Sequence, residues 1–599
     1  MADVGRHPRI KLHTLSEVVD VQGYVGNFEV RIVKKARYVV EKECTACGEC
    51  TKVCPVVQPD EFNMGLSSRR AIFTPFPQAV PSAYVININE CLGYNPSVCA
   101  KCIDVCDKGC INFHMSDEEI KERVGSIIVA TGMEPYDPTE LDEYGYTRFE
   151  NVVTSLELER LANAGGPSKG ELIRPTDRRR PASIGFIQCV GSRSARKGSS
   201  YCSNTCCMNT IKSTLALKEH YPDIDIKVFY IDIRAFGKGF EDLYLRSRRL
   251  GVHYIKGLPG TVEELSGGSL RVAVENTATG KLEFYDLEML VLAIGMQPAQ
   301  STQKLQEMLG LQLTPDGFFL EAHPKLLPVD AAARGVFYAG CAEAPKDIKE
   351  SVTQASAAVA RAIRLMHKGE ITTEPITAEV IPDLCKSCGK CAEVCPYHAI
   401  KVDIKKKTPA EVNAAACAGC GTCAAECPFD AIIMNHFTDA QISFQIDAML
   451  ADRAEEKILV FACNWCSYAG ADYAGVARIQ YPPNVRIIRT MCSGRVDDKF
   501  IWQAFLKGAP VVLVSGCHIG ACHYIDANHW TEKRIIKVRR RMEKLGLRPE
   551  RLQLEWISAA EGIRFAEIMH RMEKLRQEVS SQEIAETIEI LKNQKKNAA

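Results

Sequence analysis

The chain has 599 residues, 46% of them hydrophobic and 25% charged, with 74 Lys and Arg against 74 Asp and Glu. This length exceeds what one hydrophobic core organises and predicts about three to five domains. A formal net charge of zero implies no polyanion partner, so no nucleic-acid partner is expected, and no apolar run of about 18 residues is present to span a membrane.

In chain order, the opening MADVGRHPRIKL lacks the apolar stretch of a secretory signal, so a cytoplasmic, reducing setting is expected. Residues 1–40 read as strand fragments, FEVRIV (28–33) among them, from the middle of a domain. Residues 41–115 hold a pair of cysteine runs in loops and short helices. SIIVATGME (126–134), MLVLAIG (289–295) and GVFYAGC (335–341) read as buried strands, the last leading through Pro345-Lys346-Asp347 into an Ala/Ser-rich helix (350–367). Alternation of such strands with helices predicts a parallel α/β sheet. Between them, 181–290 reads as a second α/β domain, with strands in ASIGFIQCVGSR and IKVFYIDIRAFG and helices at 208–219 and 241–250. Residues 373–436 carry a second pair of cysteine runs and 437–456 a helical linker. From 457 a further α/β unit places strands at 457–462, 485–490, 511–516 and 552–558. The basic stretch KRIIKVRRRMEK (533–544) reads as a solvated helix face, because apolar residues recur through it at helical spacing. Residues 581–599 read as a polar, frayed tail.

Cysteine carries the chemistry. CKSCGKCAEVCP gives Cys385, Cys388, Cys391 and Cys395; CAGCGTCAAECP gives Cys417, Cys420, Cys423 and Cys427; CTACGECTKVCP gives Cys44, Cys47, Cys50 and Cys54. The fourth run is stretched, with Cys91 well ahead of Cys99, Cys102 and Cys106. Three thiolates two residues apart wrap one four-iron cluster, and the fourth, ahead of Pro, serves the neighbouring cluster. Structural zinc, the competing reading, usually pairs two Cys-x2-Cys units across a loop. Cys189, Cys202, Cys206 and Cys207 form a fifth group, at a strand-to-helix turn where a dinucleotide-binding domain carries its glycines but this chain reads QCVGSR. Four buried free thiols are the bland alternative there. Cys463, Cys466, Cys492, Cys517 and Cys522 follow predicted parallel strands, at the edge where open α/β sheets bind ligands. Four of these five suit a 2Fe–2S cluster, with zinc as the alternative. His518, His523 and His529 lie close by and read as packing or surface residues. Five groups of four and one of five leave only Cys110 and Cys341 unassigned among 27 cysteines. The expectation is five 4Fe–4S clusters and one 2Fe–2S cluster, about 22 irons per chain. ATG (130–132) and GVFYAGC are late signatures of a flavin-binding domain, yet neither G-x-G-x-x-G nor G-x-x-x-x-G-K-[ST] occurs, so only half of a flavin site is expected here.

On FTPFPQAVP (73–81), QCVGSR…YCSNTCCM, DIRAFGKGFEDLY and AGCAEAPKDIKESVTQASAA, the chain resembles the family of heterodisulfide reductase A subunits over about residues 1–436. On FACNWCSYAGAD, MCSGR and SGCHIGACHY it resembles, over about 457–575, the iron–sulfur delta subunit of methyl-viologen-reducing hydrogenase. The resemblance implies a multidomain α/β protein: a thioredoxin-reductase-like flavoprotein core, inserted and appended two-cluster ferredoxin domains, and a C-terminal α/β iron–sulfur domain. The implied boundaries are a flavin-type domain at 1–40, 116–180 and 291–372, ferredoxin-like domains at 41–115 and 373–436, a cluster-bearing α/β domain at 181–290, a linker at 437–456, a delta-subunit-like domain at 457–580 and a tail at 581–599. It further implies FAD, lined by Thr131, Gly132, Gly340, Cys341, Pro345, Lys346 and Asp347. The implied activity is that of an oxidoreductase subunit that splits electron pairs, with electrons arriving from hydrogenase or formate dehydrogenase. The implied partners are heterodisulfide reductase B- and C-like subunits and ferredoxin. A non-catalytic electron-transfer and assembly subunit, with the flavin chemistry on a neighbour, is the alternative. A zinc-scaffolded interaction protein is a third, remote reading. Family members carry the FAD glycine fingerprint ahead of the point matching Asp3, so that part is expected on a separate polypeptide, or upstream in a reading frame cut short, as an in-frame selenocysteine codon read as a stop would produce.

Overall fold

The computed structural model describes residues 2–93, 99–370, 372 and 374–598, with side chains described through 594. Residues 94–98, within the stretched cysteine run, lie outside the described residues.

The N-terminal strands Ser16–Tyr24 and Asn27–Lys34 form a hairpin that the strand Glu118–Val124 joins antiparallel. The strand Ile127–Val129 then pairs in parallel with Val336–Tyr338. SIIVATGME is thus shorter as a strand than its apolar run suggests, and Ile128 is exposed. The helix Ile348–Lys368 follows, opened by a capping box between Asp347 and Glu350.

The second α/β sheet is parallel and five-stranded, in the order Val152–Thr154, Met289–Ile294, Ser183–Val190, Asp225–Tyr230, Val252–Lys256. It reaches past residues 181 and 290 on both sides. Thr154 caps the helix Ser155–Leu161 through a capping box, and Leu158 and Leu161 enter this sheet's core. MLVLAIG sits between two strands of this sheet, which is why nearly every residue in it is buried. The antiparallel pair Met133–Pro135 and Met296–Pro298 ties the two α/β units together.

Each ferredoxin-like unit is held by two short antiparallel ribbons. The C-terminal unit is a four-stranded parallel sheet in the order Val485–Thr490, Ile458–Cys463, Val511–Gly516, Leu552–Trp556. The molecule departs from two expectations here. The expected linker contains the helix Asp439–Met449, whose Ile442 and Ile446 are fully buried in this unit's core beside Phe461, Phe500 and Phe505. The expected frayed tail is the helix Ser581–Ala598; Ile584, Thr587 and Leu591 are buried, and buried Arg551 donates to Thr587 Oγ1 at 2.5 Å. Sparse apolar residues are enough for docking when they fall on one face. The basic stretch lies in the helix Ala527–Lys544, which buries Ala527, Asn528, Thr531, Arg534, Ile535, Val538 and Met542.

Asp497 caps the helix Asp498–Leu506 by accepting from Lys499 N at 3.0 Å. Burial raises its carboxyl to about 6. Between the ordinary aspartate range and pH 6 the folded state therefore holds the proton more tightly than the unfolded chain does. The stabilisation from this group is present at low pH and is lost as pH rises through 6. Asp497→Asn keeps a capping oxygen and removes the titration. Its melting temperature should gain on the wild type between pH 5 and pH 7, by the equivalent of about 1.3 kcal/mol, and an offset that stays constant across this range would contradict the assignment.

Candidate iron–sulfur centres

In the second ferredoxin-like unit, Cys385, Cys388, Cys391 and Cys427 line one cavity, and Cys395, Cys417, Cys420 and Cys423 line another. The fourth thiol of each run crosses to the other ring. Local backbone explains the inward aim of the first three. Ser387 (φ 51°) and Gly389 (φ 82°), then Gly419 (φ 79°) and Gly421 (φ 82°), put left-handed turns on either side of the second cysteine of each run. Glycine takes that conformation without penalty. Backbone amides then point at sulfur: Ala410 N at Cys385, Ala378 N at Cys417 and Ala431 N at Cys427, each at 3.4 Å. Such bonds tune cluster potentials.

Gly421 has a second constraint, because a Cβ there would lie 2.5 Å from Cδ of buried Arg495. Gly421→Ala should cost about 2–3 kcal/mol from left-handed strain plus overpacking. Thermal unfolding of the iron-loaded chain checks this, and an unchanged midpoint would contradict it.

The first ferredoxin-like unit repeats the design, with Ala46 (φ 55°), Gly48 (φ 86°) and Ala100 (φ 71°) at the turns. Cys54, Cys91, Cys99 and Cys102 line one cavity. Cys44, Cys47 and Cys50 adjoin one another, and Cys106 and Cys110 come up beside Cys44. Cys110, which spacing left unassigned, is 4% exposed and has its Sγ 3.4 Å from Cys106 Sγ. Its only sequence signal is the fourfold offset from Cys106.

The fifth group also converges. Cys189, Cys202, Cys206 and Cys207 line one cavity with Arg193 and Arg234. Cys189 ends the Ser183–Val190 strand in a left-handed conformation (φ 60°), and Cys206 and Cys207 open the helix Cys206–His220. Arg193 is fixed by a two-pronged bond to Asp232, at 2.6 and 2.9 Å. Fixed positive charge beside a thiolate ring favours an added electron.

At the C-terminal group all five predicted thiols meet. Cys463 and Cys517 are 3.8 Å apart at sulfur, and Cys492 and Cys522 complete a buried patch with Cys466 at its edge. Hydrogen bonds from neighbouring thiols, Cys492 first, pull Cys463 well down. Bonds from Cys492 and Cys517 pull Cys522 down to about 4, while thiol neighbours push Cys517 up. Elsewhere burial dominates: Cys391 and Cys189 rise to about 11, and Cys50 and Cys420 to about 12. Buried thiols keep their protons until a cationic core replaces them, so iron uptake here releases protons. Among the described residues no three His, Cys, Asp or Glu side chains are arranged to hold a single metal ion.

The second ferredoxin-like unit packs on the C-terminal group. Tyr397 and Cys420 contact the patch of Cys463, Cys492, Cys517, Cys522 and Tyr524. Trp465 Nε1 donates to Tyr524 Oη at 2.9 Å, and His523 stacks on Trp465 at 3.9 Å. His518 pairs with Glu561 at 2.7 Å. These two histidines thus have packing partners, as expected. A cavity of about 460 Å³ between the Ser16–Tyr24 hairpin and this unit is lined by no cysteine.

The residues expected around a flavin fall at one edge. Thr131 and Gly132 follow Val129, Gly340 and Cys341 follow Tyr338, and Ala339 N donates to Val129 O at 3.0 Å. Gly132 (φ 76°) has open space where a Cβ would stand. Cys341 Sγ donates to Lys346 O at 3.4 Å, Lys346 pairs with Glu343 at 2.5 Å, and Asp347 follows Pro345 as the helix cap. These residues gather at one end of the Ile127–Val129 and Val336–Tyr338 pair, and no G-x-G-x-x-G occurs in the sequence.

Comparison with known proteins agrees with this geometry. The family described as methyl-viologen-reducing hydrogenase, delta subunit, matches residues 458–578, and the 4Fe-4S dicluster domain matches 384–431. The A subunit of the ferredoxin/F(420)H(2)-dependent CoB-CoM heterodisulfide reductase of Methanosarcina acetivorans is 42% identical over 581 residues, 97% of this chain and 72% of that protein. The A subunit of the H(2):CoB-CoM heterodisulfide,ferredoxin reductase of Methanothermobacter thermautotrophicus is 47% identical over 456 residues, 76% of this chain and 68% of that protein. Among solved structures, thioredoxin reductase of T. acidophilum aligns over 43% of this chain and 70% of its own at 12% identity, with a TM-score of 0.28, too low to support a fold assignment.

Proposed function

We infer, for a chain that belongs to the family of heterodisulfide reductase A subunits, that it is the flavin-linked iron–sulfur component of an electron-bifurcating oxidoreductase complex. Electrons enter at the C-terminal thiol group from a hydrogenase or formate dehydrogenase partner, as the match to a hydrogenase delta subunit suggests. They pass to the ring of Cys395, Cys417, Cys420 and Cys423, and onward to the α/β units. The observation that carries this reading is the direct packing of Cys420 and Tyr397 on the Cys463–Cys522 patch. Clusters bound in these rings supply one-electron transfer, five as 4Fe–4S and one as 2Fe–2S.

The chain's own residues do three things. Their thiols hold the cores. Buried Tyr524 and half-buried Tyr397 stand between the two rings. Arg193 and Arg234, beside the Cys189 ring, raise its affinity for an electron. FAD would meet Thr131, Gly132, Gly340 and Cys341, with the capped helix Ile348–Lys368 directing its N-terminus there. The terminal acceptors are a ferredoxin and a heterodisulfide-type disulfide, as the name of the H(2)-linked relative pairs them, reached through B- and C-like subunits.

One observation favours a second reading, that of an electron-transfer and assembly component whose flavin is held mainly by another polypeptide. Ile348, Val352, Val359, Ile363 and Met366 leave an apolar stripe exposed along the helix Ile348–Lys368, a face suited to receive a protein segment. Oxygen-free purification of the chain alone separates the two. Retained FAD supports the first reading, and iron without FAD supports the second. Absence of iron would remove both.

A further inference from the structure

We propose that Cys110 is an alternative fourth ligand of the cluster held by Cys44, Cys47, Cys50 and Cys106, so that Cys106 and Cys110 can exchange at one iron. The inference rests on the iron–sulfur reading above.

Three cysteines line the ring neighbouring their own run, Cys54, Cys395 and Cys427, and Cys106 holds the corresponding place in the stretched run, with Cys110 between it and Cys44. Four residues beyond them stand Gln58, Cys110, Ala399 and Ala431. The same step of the repeat thus carries a thiol in one place only. In the second unit, Ala431 N donates to Cys427 Sγ at 3.4 Å and its methyl group ends there. In the first unit Cys110 stands at the same step from Cys106. Its Sγ stands 3.4 Å from Cys106 Sγ, with Cys44 as a further neighbour. Cys110 is 4% exposed, so it is out of reach of bulky thiol reagents and faces the ring. A buried thiol at van der Waals distance from a ligand sulfur reaches the same iron after a small side-chain rotation.

The exchange balances without an added oxidant or reductant. The Fe–S bond to Cys106 breaks as the Fe–S bond to Cys110 forms, and the proton leaving Cys110 moves to the Cys106 sulfur. Charge and electron count on the ring are unchanged. The consequence is a cluster that survives loss or oxidation of one ligand and that has two ligation states differing in hydrogen bonding.

The test uses the full chain, prepared without oxygen, as Cys106→Ala, Cys110→Ala and the double variant. Iron and sulfide are counted, and spin-resonance spectra of oxidised and reduced samples are recorded. Both single variants should keep the wild-type iron count, with the reduced spectrum of Cys106→Ala shifted. The double variant should lose a cluster or show an oxidised three-iron signal. If Cys106→Ala alone gives the loss seen in the double, the proposal falls while the iron–sulfur reading stands. A wild type without iron would overturn both. Should Cys106→Ala not accumulate, the second unit carries the test. There Cys427→Ala should lose iron, and Cys427→Ala with Ala431→Cys should regain a four-iron cluster; failure to regain it would overturn the proposal.

Discussion

Glu426→Ala is expected to destabilise the iron-loaded chain by about 3 kcal/mol, at the low end of what breaking a buried ion pair costs. Glu426 lies between Cys423 and Cys427, on the face of the second ferredoxin-like unit that meets the C-terminal unit. It accepts from Arg534 Nε at 3.1 Å and Nη2 at 2.6 Å, and Arg534 Nη1 donates to Val496 O at 2.6 Å and Gly494 O at 3.2 Å. The Arg534 side chain is 6% exposed and the Glu426 side chain 21%. Removing the carboxylate leaves a nearly dry guanidinium with carbonyl partners and no counter-charge. Replacing both groups, as Glu426→Leu with Arg534→Met, removes the stranded charge and should recover part of the loss. Thermal unfolding of the wild type and the two variants checks the order. A single variant as stable as the wild type would show that the junction does not depend on this pair.

Cys420→Ala is expected to have the largest effect on electron flow. Cys420 is the ring thiol that touches the Cys463–Cys522 patch. Its loss should remove or degrade one four-iron cluster, up to about 4 of about 22 irons. The C-terminal cluster should stay in place, because none of its thiols is changed. Reduction by a donor that docks on the C-terminal unit should then stop at that unit. A small low-potential reductant should still reach the other clusters. Rapid-mixing absorbance near 400 nm with each reductant distinguishes the two routes. Unchanged reduction of the remaining clusters by the docking donor would contradict a relay through this ring.

The legible parts of the chain were those written in local spacing. The Cys-x2-Cys-x2-Cys-x3-Cys runs gave the ring membership in the second ferredoxin-like unit, because the turns between the thiols are fixed within a few residues by Ser387, Gly389, Gly419 and Gly421. The C-terminal strands were legible from their apolar runs. What depended on distant pairing was less so. Val152–Thr154 and Met289–Ile294 lie far apart in sequence and become neighbours in the second sheet, and three residues of strand carry little pattern. Ile442 and Ile446 looked like part of a linker because nothing local says which core receives them. Cys110 stays unassigned for a related reason: it belongs to no ligand-spacing rule, and the fold shows its sulfur 3.4 Å from that of Cys106.

The most direct test of the account is an iron and acid-labile sulfide count on the full chain, purified without oxygen and with zinc measured in the same sample. The thiol rings predict brown protein with about 22 irons, a similar amount of sulfide and little zinc. Colourless protein, or zinc in place of iron and sulfide, would contradict the electron relay.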